Sequence, residues 1–483
     1  MKKVGLFLAL VVALLCFPFT SGCNFRATKT SYNISVSLDG NILTGTETVT
    51  FYNDSDKVLS ELRFNLHANA FRQGARFSPI SQQYQVRAYP NGVSYGGMQI
   101  ISCTQNNSPL NFSITGQDQN VLVVNLLNEV YPTESVSVQI QFKVTLANVI
   151  SRTGYNDKTI NLGNFYPILC ALDDNGFYEC LYYSCGDPFY SECADYIVNF
   201  TLDKSYVVAS SGSQIGCRED GDKKTLIYNA NNVRSFCMVA SKHFESIKQT
   251  VLGTTITYYY YDDATPEKSL EMAVKSFNLF TNLFGSYPYT QYSVVQTKFL
   301  QGGMEYPSLV MISDNLEPNS YGEVIVHETA HQWWQTVVGN NEIEYGFLDE
   351  GLAEYSVVLF YENHAEYGLE RSRLIKSAED TYKLFCTVSD KIFGRVNTVM
   401  LRNLGEFTSE YEYVNMAYVK PCIMYDYLRT TIGDKAFFKG LSKYYKDYSF
   451  KQATPDDLVG CFEKIGADTN GFFSSFFNGK VII

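Results

Sequence analysis

The five residues His327-Glu328-Thr329-Ala330-His331, with Glu350 nineteen positions beyond the second histidine, carry the most legible chemistry in this chain. Residues four apart on a helix share a face, so His327 and His331 can close on one metal ion. Two imidazoles and a carboxylate make the three-ligand set of a catalytic zinc, with a fourth position left open. Such a mixture suits one Zn2+ better than magnesium or copper(I). Glu328, next to the first ligand, falls where a general base would stand. The chain has five histidines, and two of them are spent here.

These side chains need helices beneath them. Ser320-Tyr321-Gly322-Glu323 has the form of a capping box, Val324, Ile325 and Val326 would bury the start of a helix, and Gly339 would stop it. A second amphipathic helix is predicted over 348–364, with Leu352, Tyr355, Val358 and Leu359 on its apolar side. Glu350 falls in its first turn, where an acid also meets the helix dipole. Upstream, Gly302-Gly303-Met304-Glu305-Tyr306 lies between two β-rich segments, 292–300 and 308–312. Glycines let another backbone come close, and an exposed sheet edge can take an extended peptide as an added strand. Downstream stand Tyr413 and Tyr418-Val419-Lys420-Pro421, ahead of a helix predicted over 420–431, since proline is tolerated in a first helical turn.

The three motifs together resemble the zinc aminopeptidases of the aminopeptidase N family, within the gluzincin metallopeptidases. H-E-x-x-H, eighteen intervening residues and Glu350 match the family's spacing, and HETAHQWW and Leu348-Asp349-Glu350-Gly351 resemble its surrounding strings. Gly302 to Tyr306 stand where the family carries G-x-M-E-N, with Tyr306 in place of its Asn. Tyr418-Val419-Lys420-Pro421 resembles its Tyr-x-Lys-Gly, with Pro421 in place of Gly. The resemblance implies zinc ligands His327, His331 and Glu350, with Glu328 as base and Tyr418 as oxyanion donor. It also implies a substrate edge of Gly302, Gly303 and Met304, with Glu305 pairing the free α-ammonium of a peptide. The chain reaches Ile483 where larger members continue into a C-terminal helical domain, so a short form with an open cleft is implied.

Composition sets the outer limits. The 483 residues, 45% of them hydrophobic, suffice for two or three domains. Acidic residues outnumber basic ones by 50 to 38, and no basic stripe supports nucleic-acid binding. An acidic balance favours the approach of cationic N-termini, weakly.

Lys2 and Lys3 precede an apolar run from Val4 to Phe19, too short to span a membrane and of the right length for a signal peptide. Thr20-Ser21-Gly22-Cys23 resembles a bacterial lipobox. The expectation is therefore a signal peptide over 1–22 and a protein held at the outer face of a bacterial membrane by lipid on Cys23. Plain cleavage and free secretion is the alternative. Of the ten cysteines beyond Cys23, six (Cys170, Cys180, Cys185, Cys193, Cys217 and Cys237) are clustered, with no C-x-x-C pair to suggest a zinc ribbon. Export permits disulfides, and buried free thiols are the other reading, especially for Cys386, Cys422 and Cys461.

Alternating or β-branched segments at 31–38, 43–52, 121–126, 135–144, 196–202 and 225–228 predict an all-β region. After a strand at 254–261, Thr265-Pro266 opens a helix to about 283, and helices then dominate. The fold expected is multidomain α+β: an N-terminal β domain over 24–247, then a thermolysin-like, mainly helical zinc peptidase domain with a small edge sheet over 248–483. A monomer acting on peptides with a free N-terminus is the function expected. A gluzincin endopeptidase and a non-catalytic surface binding protein that keeps the motif are the rivals.

Overall fold

The computed structural model describes residues 29–469 and 471–481. The segment 1–22 expected to be a signal peptide, and Cys23, lie outside the described residues. In the N-terminal half, period-two burial builds the sheets: Ile42–Tyr52 buries every second residue from Leu43 to Phe51, and Ser135–Thr145 does so from Val136 to Val144. Eight strands form the largest sheet, with Ser31–Asp39 at its centre, antiparallel to Ile42–Tyr52 and parallel to Ala194–Asp203. Two four-stranded sheets complete the layer structure, and Ile34, Val138, Phe142, Val198 and Phe200 are among the residues that close the core.

The second half begins with a five-stranded sheet whose first strand, Glu245–Val251, pairs antiparallel with Thr254–Tyr260. Gln291–Thr297 and Leu309–Ser313 follow in parallel, and the two-residue strand Gly303–Met304 lies antiparallel at the edge. Helices Pro266–Leu283, Pro318–Ala330 and Phe347–Asn363 pack on one another behind this sheet. The fold class is therefore α+β, an N-terminal β domain followed by a mainly helical domain with a small mixed sheet. An apolar cluster joins the two, with Tyr182, Phe189 and Val239 meeting Val295, Met304, Tyr306 and Met311.

Two local expectations are corrected. The helix bearing the histidines starts at Pro318, with Glu317 extended at the N-cap, so Ser320 is inside the first turn and forms no capping box. Proline at the first helical position, with no N–H to lose, sets that start. The helix ends at Ala330, well before Gly339, because Trp333 and Trp334 turn into the core and are 0% and 1% exposed. All ten cysteines among the described residues are free thiols, and six of the ten are buried.

Candidate active site and metal centre

The helix Pro318–Ala330 and the helix Phe347–Asn363 cross where His327, His331 and Glu350 meet. His327 Nε2 and His331 Nε2 are 3.1 Å apart, and each is 3.2 Å from Glu350 Oε2. Metal–nitrogen bonds of about 2.0–2.1 Å at tetrahedral angles place neighbouring ligand atoms roughly 3.3 Å apart. The triangle is the right size for zinc, and its two-nitrogen, one-oxygen donor set fits that ion. Each imidazole is also held from behind. His331 Nδ1 meets the carbonyl of Trp334 at 3.0 Å, and His327 Nδ1 meets Glu354 Oε2 at 3.2 Å. Both contacts select the tautomer that leaves Nε2 free for a metal. Against the burial that would raise it, hydrogen bonds from the two histidines hold the Glu350 carboxyl down at about 2.

Trp334 reaches His331 because the chain doubles back after the helix. Thr336 N donates to the His331 carbonyl and Gln335 N to that of Val338, with Gln335 at φ 109°. Arg234 of the β domain clamps this turn, donating to the carbonyls of Gln335 and Lys451.

Glu328 faces the cleft from beside the triad, 5% exposed, and one of its oxygens has no partner. Burial, opposed by His327 and His331, pushes its carboxyl up to about 7, within the range useful to a base near neutral pH. The edge strand passes very close: a Cβ on Gly303 would lie 2.2 Å from Glu328 Oε1, so only glycine leaves the carboxylate its place. Glu305 follows on that strand's end and is 4% exposed. Its carboxylate lies within 4.8 Å of those of Asp187 and Glu350. Gly302 and Gly303 line the cleft of about 330 Å³, with Glu305, Glu328 and the metal-ligand candidates. Met304 does not; its side chain enters the apolar cluster between the domains, while its backbone stays on the edge strand. Tyr306 donates to Asn164 Oδ1 at 2.7 Å and so ties the edge strand to the β domain.

Tyr418 stands across the metal triangle, its ring stacked on His327 and its hydroxyl donating to Glu350 Oε1. Burial and the Glu350 carboxylate raise the phenol well above its usual range, so it remains a proton donor. Asn415–Val419 form a π-helical turn leading into the helix Lys420–Ile432, and this wider turn aims Tyr418 into the cleft. Lys420 anchors the turn from below, its buried ammonium donating to the carbonyls of Thr398 and Phe476. Tyr413 also lines the cleft and meets Tyr418 edge-on, farther from the triad.

Three site residues escape the motif reading. Glu354 is one helical turn beyond Glu350, a spacing visible in the sequence. Asp187 and Arg152 come from the β domain and pair at 2.9 Å inside the cleft, with Arg152 stacked over Phe189. No sequence spacing links them to the metal motif.

A family model, the peptidase family M1 domain, matches residues 268–476, the stretch that holds the whole triad. The matched domain and the β domain together are similar to the crystal structure of an M1 zinc metallopeptidase from Deinococcus radiodurans, with TM-score 0.66, 18% identity and 94% of each chain covered. A mutant form of that enzyme was solved with a Tyr-Ser-Ala substrate bound and is equally similar, with TM-score 0.66. Among curated proteins, the chain is 28% identical over 230 residues to leukotriene A-4 hydrolase of Xenopus laevis, covering 46% of this chain and 34% of that protein. It is 21% identical over 398 residues to aminopeptidase M1-A of Oryza sativa subsp. japonica, covering 77% of this chain and 43% of that protein. The chain thus spans less than half the length of these curated relatives.

Proposed function

We propose that this chain is a zinc aminopeptidase that removes N-terminal residues from peptides. The observation that carries the reading is one cleft holding both a zinc-sized triangle of His327, His331 and Glu350 and a close pair of carboxyl groups, Glu305 and Asp187, beside it. Bound zinc supplies Lewis acidity, polarising the scissile carbonyl and making water easier to deprotonate. Glu328 takes the proton of the attacking water and returns it to the leaving amine, a task suited to a carboxyl held near 7. Tyr418 turns its hydroxyl from Glu350 to the oxyanion as the carbonyl becomes tetrahedral. Glu305 and Asp187 receive the α-ammonium of the substrate, and Arg152 holds Asp187 in place. Fixing that amine fixes the register, so cleavage falls after one residue. The names of the rice relative and the peptide in the Deinococcus radiodurans structure support a peptide substrate.

Glu328→Gln separates the base from the metal ligands. The variant is expected to bind one zinc and to lose about 10²–10⁴-fold in kcat on aminoacyl fluorogenic amides. Metal analysis beside the rate decides the matter: normal turnover by this variant removes Glu328 from the role of base.

A further inference from the structure

Beside Glu305 lie two more buried carboxyl groups. Glu342 comes from the one-turn helix Glu342–Tyr345, and Asp349 from the first turn of the helix that carries Glu350. One oxygen from each of Glu305, Glu342 and Asp349 lies within 4.8 Å of the others, and the three residues are 4%, 3% and 2% exposed. Asp349 accepts a hydrogen bond from Asn340 Nδ2 at 2.9 Å. Glu305 Oε1 and Glu342 Oε1 are buried with no partner. Buried polar atoms without partners mark a missing ligand, ion or water.

Charge makes the need sharper. The charged groups acting most on Glu342 are all carboxylates, Asp349, Glu305, Asp187 and Glu350, and with burial they hold it well above the usual range. Asp187, Glu305, Glu328, Glu342, Asp349 and Glu350 crowd one region, with Arg152 paired to Asp187. Arg234 lines the small cavity beside Glu305 and Glu342; its Nε and Nη2 donate to backbone carbonyls, its guanidinium lies over Gly339, and its Nη1 is buried without a partner, one positive charge beside the three carboxyls.

We propose that Glu305, Glu342 and Asp349 hold a second cation, a hard divalent ion of the Ca2+ or Mg2+ class. Oxygen-only donors select such ions over zinc. Oxygens on a shell of about 2.3–2.6 Å lie at most roughly 5 Å apart, which the trio satisfies. The ion holds one oxygen of Glu305 and leaves the other for the substrate amine, a consequence that rests on the aminopeptidase reading. The binding itself does not, and it is measured without substrate.

Zinc-loaded wild type and Glu342→Gln are dialysed against Ca2+ or Mg2+ at fixed ionic strength. The wild type is expected to retain one more equivalent of Ca2+ or Mg2+ than the variant, with zinc at one equivalent in both. Its melting temperature is expected to rise by a few degrees with the ion, as for any ligand bound only by the folded state. Equal uptake by the two proteins overturns the proposal and leaves the carboxyls sharing protons instead. Should Glu342→Gln fail to fold, a wild-type melting temperature unmoved by both ions overturns it as well.

Discussion

His327 and His331 are oriented by unlike partners, a side-chain carboxylate for one and a backbone carbonyl for the other. The carbonyl of Trp334 is fixed by a buried turn, whereas Glu354 can be removed by mutation without disturbing the fold, since its side chain is 36% exposed. Outer partners of metal-binding histidines typically account for 10–100-fold in affinity. Glu354→Ala is therefore expected to bind zinc about 10–100-fold more weakly in chelator competition, with the melting temperature of the metal-free protein unchanged. Equal zinc affinity would make the contact incidental. At this scale the sequence reads well where chemistry demands a residue type at a fixed spacing, as with His327, His331, Glu350 and Glu328. It reads poorly at Met304, whose place in a motif says nothing about which way an edge-strand side chain turns.

At the scale of elements, the segment from Tyr413 to Lys420 shows what periodicity cannot supply. Its composition suits an ordinary helix, yet Asn415–Val419 form a π-helical turn whose extra residue rotates Tyr418 toward the metal triangle. Tyr418→Phe is expected to lower kcat roughly a hundredfold with little change in KM, the pattern of a donor used only in the transition state. Tyr413→Phe serves as the comparison, and a larger loss there would show that the wrong tyrosine of the pair is assigned. The strand Ile42–Tyr52 carries an opposite surprise. Its alternation correctly predicts an inward face, but Glu47 occupies that face, fully buried with both oxygens unpartnered. Burial raises this carboxyl well above its ordinary value. A folded-state pKa raised above the unfolded one gives stability that is complete at low pH and lost as pH rises through the folded value. Glu47→Met is thus expected to stabilise the protein by about 1–3 kcal/mol at pH 8 and by less at pH 5. Denaturant titrations at the two pH values check it, and a gain that is equal at both would show that Glu47 keeps its charge.

Across the whole molecule, the β domain completes the cleft. Arg152 and Asp187 enter from it, Tyr306 is tied to it through Asn164, and Arg234 reaches from it to the turn that holds His331. Domain order and the metal motif were legible from strand and helix patterns, because both depend on local periodicity. The Arg152–Asp187 pair was not, since it arises only when two loops of one domain close over a motif in the other. In the proposed aminopeptidase reading, that closure is what separates an exopeptidase from an endopeptidase with the same metal chemistry. An ammonium–carboxylate contact in a closed site contributes roughly 1.5–3 kcal/mol, or about 10–100-fold. The most direct measurement is kcat/KM for one peptide series with free and with N-acetylated termini, in wild type and Glu305→Ala. Acetylation is expected to cost the wild type at least about tenfold, Glu305→Ala to cost a similar amount on free peptides, and the two losses together to fall well short of additive. Acetylated peptides cut as fast as free ones, with Glu305→Ala indistinguishable from wild type, would contradict the account and favour an endopeptidase.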